Sequence, residues 1–228
     1  IDNLSPTMGE LAVQGPKIEE IIERVLGIAC KDLAFYTFNE QEFAGEQILV
    51  SRTGYTGEDG FELYGSAAFI NQVWDKLLAS GEVEPCGLGC RDTLRFEVGL
   101  PLYGNELSQD IKPNEAGLGI FVKMDKDDFI GKSAIAQLKA EGLRRKIVGI
   151  ELSSSAIPRH GYDVVVGDQV VGVVTTGYNS ISTGKSVCMA LVDKEFSELG
   201  TAVQVRIHKR LQDGVVTKKR FYEKNYKK

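Results

Sequence analysis

Two textures of hydrophobic pattern divide the chain. In "KIEEIIERVLG", Ile18, Ile21, Ile22 and Val25 recur at i, i+3, i+4 and i+7. That is the one-sided stripe of an amphipathic helix, and Gly27 supplies its stop. "AFYTF", "QILVSRT" and "GFELYG" read as strands, the last two joined by a glycine-rich turn. Ser66 is a fair N-cap for a second helix, in which Phe69, Ile70, Val73, Trp74, Leu77 and Leu78 form a wide apolar stripe before Gly81. Trp74 falls inside that stripe and reads as a core residue. A third helix follows Pro85 through "CRDTLRFEV" and ends before Gly99-Leu100-Pro101, and "FIGKSAIAQLKAEG" reads as a fourth, closed by Gly142. Beyond it come "KIVGIEL", "YDVVV", "QVVGVVTT", "SVCMALV", "AVQVRIH" and "GVVTKKRFY", short, rich in valine and separated by turn residues. Their texture predicts an all-β module, barrel or sandwich.

The predicted architecture is therefore α+β over 1–140, where strands and helices mix without a βαβ rhythm, and all-β over 141–228. Charge supports a break near "AEGLRRK". Residues 1–140 hold 12 Lys and Arg against 23 Asp and Glu, whereas residues 141–228 hold 15 against 9. With 228 residues, 43% hydrophobic and 26% charged, one large domain or two modest ones with a conventional core are expected. No apolar run approaches the ~18–20 residues of a membrane span, so no membrane role is expected. The opening "IDNLSPTMGELAVQGPK" has no initiator Met, basic start or apolar stretch, which points to a chain that begins inside a longer polypeptide. Four cysteines without a leader imply reduced thiols in an intracellular setting. The C-x3-C pair Cys86 and Cys90 lacks the ligand set of structural zinc, so no metal is expected and two small buried thiols are the simpler reading.

Candidate chemistry concentrates in "SRTGYTGEDGFELYG" (51–65). Gly54, Gly57 and Gly60 are evenly spaced at three, which matches neither a P-loop nor a dinucleotide fingerprint. Glu58, Asp59 and Glu62 would also cancel the field that backbone amides offer a phosphate. Two readings remain: a hairpin turn at Asp59-Gly60, or one wall of a small-molecule pocket flanked by Tyr55 and Glu62. Arg91 and Arg95 lie at i and i+4, near Asp92 and Glu97, and on residues alone all four read as a surface salt-bridge lattice. The basic end, "KKRFYEKNYKK", lacks the interleaved aromatic platforms of a nucleic-acid site, so no nucleic-acid partner is expected.

Four segments, "LAVQGPK" (11–17), "RTGYTGEDGFELY" (52–64), "GCRDTLRFEVGLPLYGNEL" (89–107) and "EAGLGIFVK" (115–123), resemble the aminomethyltransferase, or T-protein, family of the glycine cleavage system. "IPRHGYDVVVGDQVVGVVTTGYNS" (157–180) resembles the start of that family's C-terminal β-domain. The resemblance implies the remainder of a folate-binding α+β core of ferredoxin-like type over 1–140, followed by a C-terminal β-barrel over 141–228. It implies an enzyme that takes the aminomethyl group from the lipoyl arm of the H-protein, releases ammonia and passes the one-carbon unit to tetrahydrofolate. By similarity Tyr55, Glu62 and Arg91 line the folate channel, Tyr226 closes it, and Arg159 reaches it from the C-terminal domain. The family's catalytic aspartate lies in residues preceding "LAVQGPK" that this chain does not contain, so the chain alone is expected to be inactive.

Side-chain chemistry fits such a ligand. A carboxylate accepts both donors of a pterin edge, tyrosine offers an aromatic wall with a polar tip, and a guanidinium fork takes a carbonyl or carboxylate. On this reading the glycines let the hairpin approach a flat ligand, and Glu58 and Asp59 are solvated turn residues. The basic C-terminal end would steer anionic folate tails or an acidic lipoyl carrier. A bacterial cytosol is favoured over a mitochondrial matrix. Folate-dependent demethylases, oxidase tails and a non-catalytic folate-binding module remain alternatives. The K-G-C-Y-x-G-Q-E signature of an iron–sulphur-assembly relative is absent.

Overall fold

The computed structural model describes residues 2–227, so Lys228 of the basic end lies outside the described residues. The chain divides into two compact units, residues 1–94 with 223–228, and residues 95–222. In the first, β1 (Gly9–Gln14), β2 (Phe38–Phe43), β3 (Glu46–Ser51) and β4 (Gly60–Gly65) form an antiparallel sheet in the order β1-β4-β3-β2. Side chains alternate across a strand, so the sheet has two unlike faces. Val13, Ile48, Val50, Phe61 and Leu63 point into a core closed by α1 (Ile18–Ile21) and α2 (Ala67–Ala79). Glu10, Gln14, Ser51, Glu62 and Tyr64 occupy the alternate positions. The stripe ending at Gly27 is α-helical only to Ile21; a π-helical turn continues to Leu26, and Gly27 closes it at φ 71°.

The anticipated Ser66 cap forms, with the Phe69 N–H donating to its Oγ at 3.2 Å. Trp74 is a correction, because Phe69, Val73 and Leu77 take the buried positions of α2 and leave Trp74 41% exposed. "AFYTF" is a second correction. Tyr36 adopts a left-handed φ of 65°, the Thr37 N–H bonds the Ala34 carbonyl at 3.1 Å, and the strand starts only at Phe38. No periodicity reading identified β1, whose alternation of Leu11 and Val13 with Glu10 and Ala12 is too brief to stand out.

In the second unit, β5 (Arg145–Leu152), β6 (Asp163–Val166), β7 (Gln169–Asn179), β8 (Ser186–Asp193), β9 (Ala202–Ile207) and β10 (Arg210–Thr217) close into a barrel in the order β10-β5-β8-β7-β6-β9. All six segments expected to be strands are strands, although β10 begins at Arg210 and stops at Thr217, short of "KKRFY". Valine fills so small an interior well: Val164, Val174 and Val205 are fully buried with Ile150 and Ala190. α3 (Leu88–Glu97) begins in the first unit and ends in the second, and α4 (Lys132–Glu141) follows. No helix among the described residues is long and apolar enough to cross a membrane.

The supposed surface lattice on α3 is overturned by Arg95 and Glu97, both buried. Arg95 Nη1 donates to Glu106 Oε2 at 2.7 Å, and Glu106 Oε1 accepts from Thr175 and Thr176 at 2.7 and 2.6 Å. Adjacent strand residues ordinarily face opposite ways; the bulge between Val174 and Thr176 lets both hydroxyls reach one carboxylate. Glu97 accepts from Ser180 Oγ at 2.7 Å and from the Ser182 N–H at 3.1 Å. Arg95 is ion-paired with Glu106, and Glu97 is held by hydroxyl and backbone donors, so each buried charged group has the partners burial demands.

Candidate functional site

The glycine-rich connector between β3 and β4 is organised by Gln14. This residue pairs with Gly60 across the ladder. Its Nε2 donates to the Thr53 carbonyl at 3.1 Å and the Phe61 carbonyl at 3.2 Å, while its Oε1 accepts from Thr56 Oγ1 at 3.3 Å. A Cβ at Gly54 would lie 1.9 Å from Gln14 Oε1, and one at Gly60 would lie 2.5 Å from Gln14 Cδ. The two glycines therefore make room for a glutamine of the same sheet, which corrects the expectation that they admit a ligand. Gly57, at φ 85°, supplies the turn.

Asp59 is likewise no solvated turn residue. It is 3% exposed and receives Arg52 Nη2 at 2.6 Å, and the same guanidinium reaches Glu19 at 2.7 Å. Arg52 also donates to the Leu33 carbonyl at 2.8 Å and lies over the Phe61 ring. Burial alone would raise the Glu19 carboxyl, but Lys227 and Arg52 together hold it below the usual range. Glu58 is held from the chain's other end: Asn225 Nδ2 donates to its carboxylate at 2.7 Å, and the Asn225 N–H bonds the Gly57 carbonyl at 2.8 Å. Part of the basic end is thus docked on this connector.

On the polar sheet face, Glu62 accepts from Thr53 Oγ1 and, at 3.3 Å, from the Tyr64 hydroxyl. Glu10 stands opposite Tyr64 and Ala12 opposite Glu62, so Glu10 and Glu62 are diagonal neighbours on one face. Burial, then the Glu62 charge, raises the Glu10 carboxyl above its ordinary range, and Arg91 offsets part of that rise. Burial and the Glu62 charge likewise push the Tyr64 phenol up to about 12. Arg91 is exposed at the start of α3, with its guanidinium 5.2 Å over the Tyr55 ring.

Of the residues singled out from sequence, Glu62 and Arg91 thus both act on Glu10, and Arg91 covers Tyr55. Tyr226 belongs to the same unit and stacks on Phe35 with ring centroids 4.4 Å apart. Arg159 is exposed in the second unit, 5.3 Å over the Tyr178 ring. Sequence reasoning missed Glu10, Gln14, Thr53 and Tyr64. The first two are visible only through the β1–β4 register, which joins positions some fifty residues apart. Beside this face, a cleft of about 520 Å³ runs along β1, walled by Leu11, Val13, Trp74, Leu78, Cys86 and Arg91. Cys86 and Cys90 are both exposed, contrary to the expectation of buried thiols.

Comparison with known proteins places this geometry. The GCVT N-terminal domain matches residues 1–126, and the glycine cleavage T-protein C-terminal barrel domain matches residues 145–223. The chain belongs to the glycine cleavage T-protein family. It is 49% identical over 232 residues to an aminomethyltransferase of Caldanaerobacter subterraneus, covering 100% of this chain and 62% of that protein. It is 47% identical over 229 residues to the Bacillus subtilis aminomethyltransferase, covering 98% of this chain and 63% of that one. The crystal structure of glycine cleavage system aminomethyltransferase T from Bartonella henselae superposes with a TM-score of 0.90 at 30% identity, over 97% of this chain and 61% of that one. The chain therefore spans somewhat under two thirds of the length of these T-protein relatives. The closed six-stranded barrel of β5–β10 lies within the matched barrel domain, and the Gln14, Glu62 and Arg91 positions lie within the matched N-terminal domain.

Proposed function

We propose that the chain is the folate-binding and barrel portion of a tetrahydrofolate-dependent aminomethyltransferase of the glycine cleavage system. The enzyme takes the aminomethyl group from the lipoyl arm of the H-protein, releases ammonia and leaves the one-carbon unit on tetrahydrofolate. One observation supports this reading above the others: Glu62 and Arg91 both act on the Glu10 carboxyl, and the Arg91 guanidinium lies over the Tyr55 ring. A pterin edge offers a ring N–H and an exocyclic amine in one plane, and Glu62 has the carboxylate to accept both. Tyr55 supplies an aromatic wall, and Arg91 a fork for a ring carbonyl or a ligand carboxylate. Tyr226 and Arg159 complete the proposed folate set, and the basic C-terminal module draws the anionic tail of the cofactor or an acidic lipoyl carrier. The setting is a bacterial cytosol.

Calorimetric titration with 5-formyltetrahydrofolate tests the site. Glu62→Ala removes a charge-assisted pair of hydrogen bonds worth roughly 1.5–3 kcal/mol each, so affinity falls at least tenfold. Glu40→Ala, on exposed β2, leaves it unchanged. Equal affinity of Glu62→Ala and the parent would overturn the assignment. For the activity, residues 1–228 replace the matched segment of the Bacillus subtilis aminomethyltransferase. A folded hybrid that releases no ammonia from an aminomethyl-lipoyl carrier refutes the reading.

A further inference from the structure

The loop entering α3 carries Cys86, and the first turn of the helix carries Cys90; both are exposed. The two thiols are near enough for Cys90 to influence Cys86 electrostatically, and the Cys86 thiol donates to the Glu84 carbonyl at 3.6 Å. The Arg91 N–H bonds the Gly87 carbonyl at 3.2 Å, so the first helical turn opens one residue after Cys86. Within a helix, residues four apart have Cβ atoms about 5–6 Å apart, whereas Cys86 stands ahead of this one. A disulfide needs Cα atoms about 4.4–6.8 Å apart and Cβ atoms about 3.5–4.5 Å apart. Cys86 lies in the loop that precedes the helix, so forming the bridge calls for movement of a loop residue, not a rearrangement of the fold. The remaining cysteines differ in kind. Burial raises the Cys30 thiol to about 12 and pushes Cys188 higher still, which leaves both inert. Among the described residues no group of three or more His, Cys, Asp and Glu gathers as a metal site, so the pair lacks further ligands.

We propose that Cys86 and Cys90 form a reversible dithiol–disulfide pair, a redox modification site that reshapes the cleft beside the Arg91–Tyr55 contact. The oxidant is a low-molecular-weight disulfide. A thiolate at Cys90 attacks one of its sulfurs, the oxidant's S–S bond breaks, and one small thiol departs. Cys86 then gives up its proton and attacks the Cys90 sulfur, and the second small thiol departs. Two protein thiols are oxidised to one disulfide while one small disulfide is reduced to two thiols. Burial raises the Cys86 thiol above its ordinary value, which suits it to the second, resolving step. Arg91 directly follows Cys90, and Cys86, Arg91 and Trp74 line the same cleft. Drawing Cys86 onto the helix therefore moves the wall that Trp74 faces.

The chain is equilibrated in glutathione buffers of varied thiol-to-disulfide ratio, quenched with acid, alkylated and weighed, with Trp74 fluorescence read in parallel. The expected result is a loss of about 2 Da confined to the peptide joining Cys86 and Cys90 and reversed by dithiothreitol. The fluorescence change should follow the same ratio. Cys86→Ser and Cys90→Ser abolish both signals. Separate glutathione adducts on the two cysteines, linkage between chains, or a bridge that leaves Trp74 fluorescence unmoved would each overturn the proposal. The mass reading on the unsubstituted chain decides the matter even if a variant folds poorly. It involves no folate, so it can fail while the proposed function stands.

Discussion

Gly54→Ala isolates what the glycine-rich connector is for. Gly54 takes no positive φ, so its backbone tolerates alanine; the obstacle is the Gln14 amide, with Oε1 1.9 Å and Cδ 2.6 Å from the new Cβ. Gln14 has to leave, surrendering its bonds to the Thr53 and Phe61 carbonyls and to Thr56. At about 1 kcal/mol net for each hydrogen bond, that is some 2–3 kcal/mol. Residual overpacking adds roughly 1 kcal/mol, for a total near 3–4 kcal/mol. Gln14→Ala alone forfeits the hydrogen bonds without the crowding, about 2–3 kcal/mol. The double variant should then cost about as much as Gln14→Ala alone, because alanine at 54 enters vacated space, giving a coupling of roughly 3–4 kcal/mol. Urea unfolding followed by Trp74 fluorescence measures this. Trp74 is the sole tryptophan and sits on α2, so the signal comes from the first unit. Additive losses would refute the packing argument. So would a Gly54→Ala protein of unchanged midpoint that had lost only folate affinity, since the glycine would then be serving a ligand.

In the second unit, Glu106→Gln leaves Arg95 buried without its counter-charge and should lower stability by about 3 kcal/mol; an unchanged thermal midpoint by near-ultraviolet circular dichroism would contradict it. Because the folded Glu19 carboxyl is held low, its stabilisation is present above the ordinary carboxyl value and lost as pH falls through the folded one. Lys227→Ala should therefore move the acid-unfolding midpoint of the Trp74 signal upward, and an unmoved midpoint would discount the Lys227–Glu19 pair. The Tyr64 phenol should ionise near pH 12, and Glu62→Gln should bring it down towards an ordinary phenol in a titration by ultraviolet absorbance. Loss of the Glu62 charge without a change at Tyr64 would show that burial alone sets the value.

Periodicity revealed what depends on near neighbours. The stripes of α1 and α2, the Ser66 cap and the six valine-rich strands are decided by residues a few positions apart, and all are present. Resemblance pointed to Tyr55, Glu62 and Arg91, but not to their setting. Glu10 joins Glu62 because β1 pairs with β4, a non-local choice that local alternation does not encode. The same blindness made Gly54 and Gly60 look like space for a ligand, when the occupant is a side chain from the adjacent strand. "AFYTF" failed differently: its aromatic content favours a strand, but Tyr36 at φ 65° turns the chain and Phe35 serves as the platform on which Tyr226 stacks.

The charged residues carry the further lesson that helical spacing fixes a shared direction but not a shared environment. Arg91 and Arg95 are one turn apart on α3, yet the first is exposed over Tyr55 and the second is fully buried against Glu106. The helix passes from one compact unit to the other between Leu94 and Arg95, so the same face meets different surroundings within a single turn. Burying a guanidinium is tolerable only with a carboxylate and further acceptors around it, and the Glu106, Leu100 and Thr176 oxygens meet that demand at Arg95. Arg52 meets it with Asp59, Glu19 and the Leu33 carbonyl. Arg91 remains at the surface, facing an aromatic ring and within electrostatic reach of a raised carboxyl. Of the three arginines it alone is solvent-exposed, and so the one whose donors an incoming anion or carbonyl can reach without dismantling the fold.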